Sequence, residues 1–499
     1  MNKIAVIRGV SLSKWEMQNC EPLKEYYDIT AFTTTHCKYD IGRINLPVVQ
    51  LPFQSNGLTL YMEGLDDHLA DMDLIYTGDI SYLYSAQAVQ AKRKYGCKVV
   101  CLEWENIPFN FEDNEAVARI RKVVRNEADH FIAVTNRAKE ALILEGVPEE
   151  MIDILPMGVD LRRFRPDPAA GQQYREILGV NNDDIIILFI GRMDWEKGIY
   201  DFVHAAAKVT RDQALQGIPV RFVMAGSGPE LDEVRRRTAE LGMADRFNFL
   251  ENCPYEDIHK LHNAADFFVL PSVSVRYWQE QFGMVLIESM ACAKPVISTL
   301  SGSIPEVVGD AGMLIQPNDY LSLYRAMKDL IENKERRMMF SENALTRAEE
   351  YFDSQKTAGN ILEIFKKVLG TQKLTMSIQD MYRRGLTLRN EGRQEDALTT
   401  MCKAFNKDPD NKKILASLVE MAVEVNQVEL AANSLRRHLL LHPANLDALY
   451  ELSKILFALG KYDDAEEELN KISIFDPDRE DAKILRKQIA NEKYQPQEG

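Results

Sequence analysis

Short apolar, β-branched runs alternate with amphipathic stretches along the first third of the chain. The runs KIAVIRGV, DLIYTG, KVVCLEW, HFIAVT and IDILPMGVD begin at Lys3, Asp73, Lys98, His130 and Ile152. Between them, Ser85 to Tyr95 and Asn114 to Ala128 read as helices. This alternation predicts a parallel sheet with helices on both faces. The pattern then repeats with IIILFIG, PVRFVMAG, RFNFLE, ADFFVLP, KPVISTL and GMLIQP, from Ile185, Pro219, Arg246, Ala265, Lys294 and Gly312. Several of these runs are apolar at consecutive positions, as strands covered on both faces require. The polar stretch PDPAAGQQ, Pro166 to Gln173, reads as the linker between the two blocks. Two doubly wound domains in succession place a ligand cleft between them, at the carboxyl ends of their strands.

After about residue 375 the strand pattern gives way to helical periodicity with an internal repeat. Pro409, Pro443 and Pro477 recur every 34 residues, and Ala397, Ala431 and Ala465 keep the same period. A small residue is needed where two helices cross closely, and a proline starts the next pair. The pattern resembles the tetratricopeptide repeat, with Gly385, Ala397, Ala404 and Pro409 matching in the first copy. The middle copy departs at Val419 and His438.

Composition narrows the class. A chain of 499 residues suggests about three folded units. Its 60 Lys and Arg against 76 Asp and Glu give a net charge of -16, which argues against a general nucleic-acid binder. No apolar run approaches the roughly 20 residues of a membrane span, and the start of the chain lacks a signal-like apolar region. The 7 cysteines form no CxxC pair, so neither a disulfide framework nor a zinc site is expected. The expectation is a cytoplasmic protein.

Three loops at strand ends carry the candidate chemistry. Gly191 closes the strand IIILFI, and Arg192 and Lys197 follow it five apart, so both can turn toward one anion. An exposed turn with two solvated cations is the bland alternative. Ala225 to Glu230, AGSGPE, is a second loop in which Gly228 lets backbone approach a ligand. The third follows Pro271-Ser272 and leads into EQFGMVLIE, Glu280 to Glu288. There Gly283 opens a helix whose free amides and dipole can face an anion. Glu280 precedes that helix and Glu288 lies just over a turn inside it, so the two carboxylates are free to do different work.

These motifs resemble the nucleotide-sugar half of a GT-B glycosyltransferase of the large retaining family four. The matching segments are GRMDWEKG (Gly191 to Gly198), AGSGPE, EQFGMVLIE and SGSIPEVVG (Ser301 to Gly309). GVDLRRFRP, ending at Pro166, resembles the segment entering the second domain, and FDSQKTAGNILEIFKKVL, from Phe352, resembles the terminal helix that crosses back. The resemblance implies a GT-B fold of two Rossmann-like domains facing a cleft, followed by an all-α tetratricopeptide solenoid. Its divisions would be an acceptor-side domain over 1–165, a nucleotide-sugar domain over 170–352, a crossover helix over 353–371 and about three repeats over 376–490. By the same resemblance, Arg192 and Lys197 hold the donor diphosphate and Glu288 the ribose. Gly191 belongs to the first of these loops, and Gly228 and Pro229 lie near the base. Glu280, with the amides of Phe282, Gly283, Met284 and Val285, grips the transferred sugar. Retention of configuration is implied in the same way. No metal or other cofactor is expected, because side chains and a helix dipole already meet the diphosphate and no Asp-x-Asp motif is placed to hold an ion.

The first domain fits the family less well. Arg8 to Lys14 has one glycine where the family often has a Gly-rich loop, and a frequent histidine is replaced by the run Glu103-Trp104-Glu105-Asn106-Ile107-Pro108. Glu105 or Glu103 can take an acceptor proton as a general base; alternatively a carboxylate caps the turn before Pro108. Arg119, Arg121, Lys122 and Arg125, with Lys92, Arg93 and Lys94, make a basic face that suits an anionic membrane or plain solvent, and membrane contact is not predicted. The expected activity is that of a hexosyl- or other glycosyltransferase moving a sugar from a nucleotide-diphosphate-sugar to an unidentified sugar, lipid-linked or protein hydroxyl. The repeats would bind a protein partner or a second copy. The competing expectation is a non-catalytic adaptor with a degenerate transferase domain.

Overall fold

The computed structural model describes residues 1–57, 59–370 and 378–493. The last residue of the expected crossover segment, 371, and the first two of the expected repeat region, 376 and 377, lie outside the described residues. The chain divides into two compact units, one α/β and one helical.

The α/β unit contains two parallel sheets. The first orders its strands β3-β2-β1-β6-β7-β8-β9, with β1 at Lys3–Ile7, β2 at Asp28–Thr34, β3 at Val48–Leu51, β6 at Leu74–Thr77, β7 at Lys98–Glu103, β8 at His130–Ala133 and β9 at Ile152–Ile154. A hairpin, β4 at Phe53–Ser55 and β5 at Leu60–Met62, stands apart from it. Five of the seven sheet strands begin the apolar runs anticipated from sequence. The other two, β2 and β3, went unnoticed because β2 is threonine-rich and β3 is a four-residue edge strand with only Leu51 buried. The second sheet orders β12-β11-β10-β13-β14-β15. Its strands are β10 (Ile185–Ile190), β11 (Val220–Ala225), β12 (Phe247–Leu250), β13 (Phe267–Leu270), β14 (Val296–Thr299) and β15 (Gly312–Ile315). Every residue of β10 and β13 is buried, as consecutive apolar positions require.

The expected linker is a correction: most of PDPAAGQQ is the start of the helix Pro168–Leu178. The Asp167 side chain accepts from the Ala170 amide, and Pro168 sits in the first turn, where a missing N–H costs nothing. At the other end of the unit, the helix Ser354–Gly370 lies against the first domain. Its Phe365 ring packs at 5.3 Å from Tyr76 and 6.2 Å from Tyr27. Val159 exchanges backbone hydrogen bonds with Phe352 and Ser354, which ties the entry and exit of the second domain together.

The helical unit contains Ile378–Asn390, Gln394–Lys407, Lys412–Glu424, Val428–Leu441, Leu446–Ala458, Tyr462–Phe475 and Glu480–Lys493. Ala397, Ala431 and Ala465 are fully buried at the helix crossings. His438 stands where the first copy has Ala404, and it is buried because both ring nitrogens are bonded. Its Nδ1 lies 3.0 Å from the Pro409 carbonyl, and the Asn445 amide donates to its Nε2 at 3.1 Å. No disulfide joins any of the seven cysteines. Among the described residues no helix is long and apolar enough to cross a membrane.

Candidate active site

In the second sheet the chain order reverses between β10 and β13, which lie side by side. Loops leaving such neighbouring strands diverge and open a crevice at their carboxyl ends. Four loops meet there, after β10, β11, β13 and β14, and their backbones interlock. Met193 donates to Ser227, Glu230 to Met193, and Val273 to Glu196, at 2.9, 3.0 and 2.9 Å. Ser303 donates to the Glu280 carbonyl at 2.9 Å. Gly302 makes this last approach possible: its φ is +53°, and a Cβ there would stand 2.0 Å from the Glu280 oxygen.

At the centre is a charged pair. Lys197 Nζ lies 2.8 Å from Glu280 Oε2, which also accepts from Ser272 Oγ at 2.8 Å. The ammonium stands 4.8 Å above the Trp278 ring. Glu280 is only 6% exposed, so its charge is held by these partners and not by water. Gly198, directly after Lys197, packs so closely that a Cβ would fall 1.8 Å from the Pro271 carbonyl. Arg192 does not join Lys197. Its guanidinium is 61% exposed and pairs with Asp194 and Glu196 of its own loop. Both cations are therefore neutralised by carboxylates, and Lys197 is the one at the crevice centre.

The helix Met284–Ala291 begins at Gly283, with φ +83° and no side chain capping its end. Phe282 is buried before it, edge-on to Trp104 at 6.0 Å and to Phe352 at 5.9 Å, which fixes how the helix enters. Met284 and Val285 form the first turn, half-buried. Glu288 is buried within the helix, its Oε2 3.9 Å from His262 Nε2. Burial keeps the His262 ring below its ordinary pKa, against the pull of Glu288. Glu280 and Glu288 thus have separate partners. Gly191 donates to Ala225 at 3.0 Å at the end of its strand, while Gly228 and Pro229 are exposed at the rim.

The first domain faces these loops with the turn after β7. Asn106, 3% exposed, donates from Nδ2 to the Glu280 carbonyl at 3.0 Å and to Ser303 Oγ at 2.9 Å. Its Oδ1 is buried without a partner. Sequence reasoning missed Asn106, Ser303, Ser272 and Trp278; the departure of the run Glu103 to Pro108 from the family pattern was the signal available for the first. Of the two readings of Glu105, the structure shows the turn cap. Its Oε1 accepts from the Asn106 and Ile107 amides, both at 2.9 Å, and its Oε2 accepts from Asn110 at 2.8 Å. Deeper in, Asp79 accepts from the Trp104 amide at 2.6 Å and Glu103 from the Ile80 amide at 3.0 Å. Burial lifts Asp79 to about 7, and the nearby Glu105 charge adds to this. Burial and Asp79 together hold Glu103 well above the usual carboxylate range. The basic helix is also revised. Arg121 is buried against Glu145, and Arg125 pairs with Glu112 and Glu145, so neither lies on a free cationic face.

Comparison with known proteins agrees with this geometry. Residues 171–347 match the family described as glycosyl transferases group 1, and residues 422–489 match a tetratricopeptide repeat. The chain carries a glycosyl transferases group 1 domain followed by tetratricopeptide repeats. The group 1 domain includes all four interlocked loops. A D-inositol 3-phosphate glycosyltransferase of Nocardia farcinica is 31% identical over 254 residues, 50% of this chain and 54% of that protein. A GDP-mannose-dependent alpha-(1-6)-phosphatidylinositol monomannoside mannosyltransferase of Mycolicibacterium smegmatis is 29% identical over 220 residues, 43% of this chain and 56% of that one. The chain spans about half the length of the curated relatives it matches. Anabaena Alr3699/HepE, solved with UDP and glucose, superposes with a TM-score of 0.62 at 20% identity, over 74% of this chain and 100% of that one. That likeness establishes the fold, two Rossmann-like sheets of the GT-B type.

Proposed function

We propose that the chain is a glycosyltransferase that moves a sugar from a nucleotide-diphosphate-sugar to a hydroxyl acceptor, with retention of configuration. The observation that carries the reading is the Lys197–Glu280 pair at the mouth of the group 1 domain, beside an uncapped helix start. In this reading a donor diphosphate takes the ammonium from Glu280. That carboxylate then accepts hydrogen bonds from the hydroxyls of the sugar. Arg192, exposed on its loop, turns in from Asp194 and Glu196 to the same phosphates. As the glycosidic C–O bond breaks, its electron pair leaves with the diphosphate. The acceptor oxygen forms the new bond on the same face, and its proton passes to the leaving phosphate oxygen. Charge that develops on the diphosphate meets cations already in place, so the transition state gains more than the ground state. No metal is assigned a part in this scheme. The repeats supply a surface for a protein partner or a second copy.

A thermal-shift series with UDP-, GDP-, ADP- and dTDP-sugars tests the proposal, with Arg192→Ala and Glu288→Ala as controls. A donor at about 100 times its Kd stabilises the native state by about 2.7 kcal/mol. A shift with one nucleotide that both variants abolish supports the reading and names the donor. No shift with any of them, in folded protein, favours an adaptor working through its repeats.

A further inference from the structure

A cavity of about 450 Å³ opens between the two domains beside the Lys197–Glu280 pair. The first domain lines it with Asp79, Tyr82, Glu105 and Phe111, and the second with Glu196, Tyr277, Trp278, Gln279 and Gln281. Two features of this lining stand out. It is rich in aromatic rings: Phe111 and Tyr277 stack across the domains at 5.2 Å and 16°, which joins their rings into one wall. Phe111 is 39% exposed and holds a φ of +59°, a left-handed conformation that a bulky residue adopts only when its surroundings demand it. The Tyr277 hydroxyl bonds to Asp113 at 3.1 Å and the Asn110 amide to the Tyr277 carbonyl at 3.2 Å, so the wall is anchored on both sides.

The second feature is charge. Among the described residues, three carboxyl groups line the cavity and no cation does. The neighbouring cations lie outside the lining. Arg192 is paired with Glu196 and Asp194, and Lys197 with Glu280. Arg276 lies over the Tyr277 ring, and Arg137 reaches Gln279 from outside the lining at 3.5 Å. In a transfer reaction Arg192 and Lys197 would be occupied by the donor. A phosphate on the acceptor would then face the carboxyl groups of the lining directly, with Arg276 and Arg137 behind the Tyr277 ring and the Gln279 amide. Aromatic faces, side-chain amides and carboxylates are what a polyhydroxylated ring needs, apolar flats for its C–H face and acceptors for its hydroxyls.

We propose that this cavity is the acceptor site and that it takes an uncharged sugar ring in preference to a phosphorylated one. The inference rests on the glycosyltransferase reading and deepens it by naming the acceptor class. It sets this chain apart from relatives whose names carry inositol phosphate.

The test uses the full chain with the nucleoside diphosphate selected by thermal shift, and reads probe binding by saturation-transfer NMR. The uncharged probes are methyl glucoside, methyl mannoside and methyl galactoside. The charged probes are glucose 6-phosphate and inositol 3-phosphate. An uncharged probe is expected to bind at least about tenfold more tightly than either phosphate. Glu105→Gln should narrow that ratio by relieving the phosphates alone, with unchanged melting of the nucleotide complex as the check on folding. Equal or tighter binding of a phosphorylated probe overturns the proposal. So does the absence of binding by every probe while the nucleotide binds, which leaves the transferase reading intact. Failure of the nucleotide itself to bind removes both.

Discussion

The side-chain amide of Asn106 donates to the backbone carbonyl of Glu280 at 3.0 Å and so joins the first domain to the residue that pairs with Lys197. One amide holds two strand-end loops of the second sheet, because its second hydrogen reaches Ser303, whose own amide donates to the same carbonyl. Asn106→Ala is expected to lower stability by about 1–2 kcal/mol, the value of two buried hydrogen bonds. It should also lower kcat/KM for transfer by roughly tenfold or more, through loss of position at Glu280. Chemical denaturation and steady-state kinetics on the same preparation separate the two effects; unchanged kinetics would free the contact of any role in positioning.

Lys197 is the cation at the crevice centre, and its removal leaves Glu280 buried without a counter-charge. Lys197→Ala should cut transfer by roughly 10²–10³-fold. Arg192→Ala, on an exposed side chain, should cost less stability while still weakening nucleotide binding. Initial rates and nucleotide titrations on both variants check the order. A larger loss of stability in Arg192→Ala would contradict the burial argument.

Gly302→Ala places a methyl group where the Glu280 carbonyl already stands, on a backbone with positive φ. Strain at such a position costs about 1–3 kcal/mol. The variant is expected to melt earlier and to lose activity, since the loop it displaces carries Glu280. Urea denaturation and kinetics measure both; retention of full activity would show that the two loops can part without harm.

Asp79 gives a pH dependence with a definite sign. Its carboxyl sits at about 7 in the fold, against an ordinary value of 3.8. The folded state therefore binds this proton more tightly. The associated stability is fully present below the ordinary value and is lost as pH rises through about 7. Asp79→Asn keeps the acceptor for the Trp104 amide and removes the charge. It should stabilise the protein at pH 8 by about 1 kcal/mol or more and change little at pH 4. Melting curves of both proteins between those limits test this, and a difference independent of pH would count against the burial effect.

In the repeats, His438→Ala removes a buried ring and strands the Pro409 carbonyl and the Asn445 amide. A loss of about 2–3 kcal/mol in the helical unit is expected from the cavity and the unmet hydrogen bonds. Nucleotide-induced stabilisation of the α/β unit should be unaltered. Calorimetry with and without nucleotide resolves the two.

Contiguous apolar runs such as IIILFI and FFVL announced their strands because burial on both faces leaves no polar position. The threonine-rich β2 stayed hidden because its buried Thr33 and Thr34 hydroxyls donate to the Gly9 and His36 carbonyls and so need not be apolar, and the edge strand β3 because only its Leu51 is buried. The 34-residue period revealed the repeats, since each copy must solve the same packing problem with a small residue at the same place. His438 broke that pattern in sequence and is explained only by partners in neighbouring helices.

The loops at the strand ends could be read from the chain because each is a short run of neighbouring residues whose glycines and charges are tied to one local turn. What those loops do to one another could not. Lys197 chooses Glu280 across 83 positions, Arg192 turns instead to its own loop, and Asn106 reaches Glu280 across 174. Glu105 looks like a free carboxylate until the fold shows three donors spent on it. Local chemistry is written in adjacent residues. Partnership is decided where chain closure brings distant groups within hydrogen-bond reach and takes water away from them.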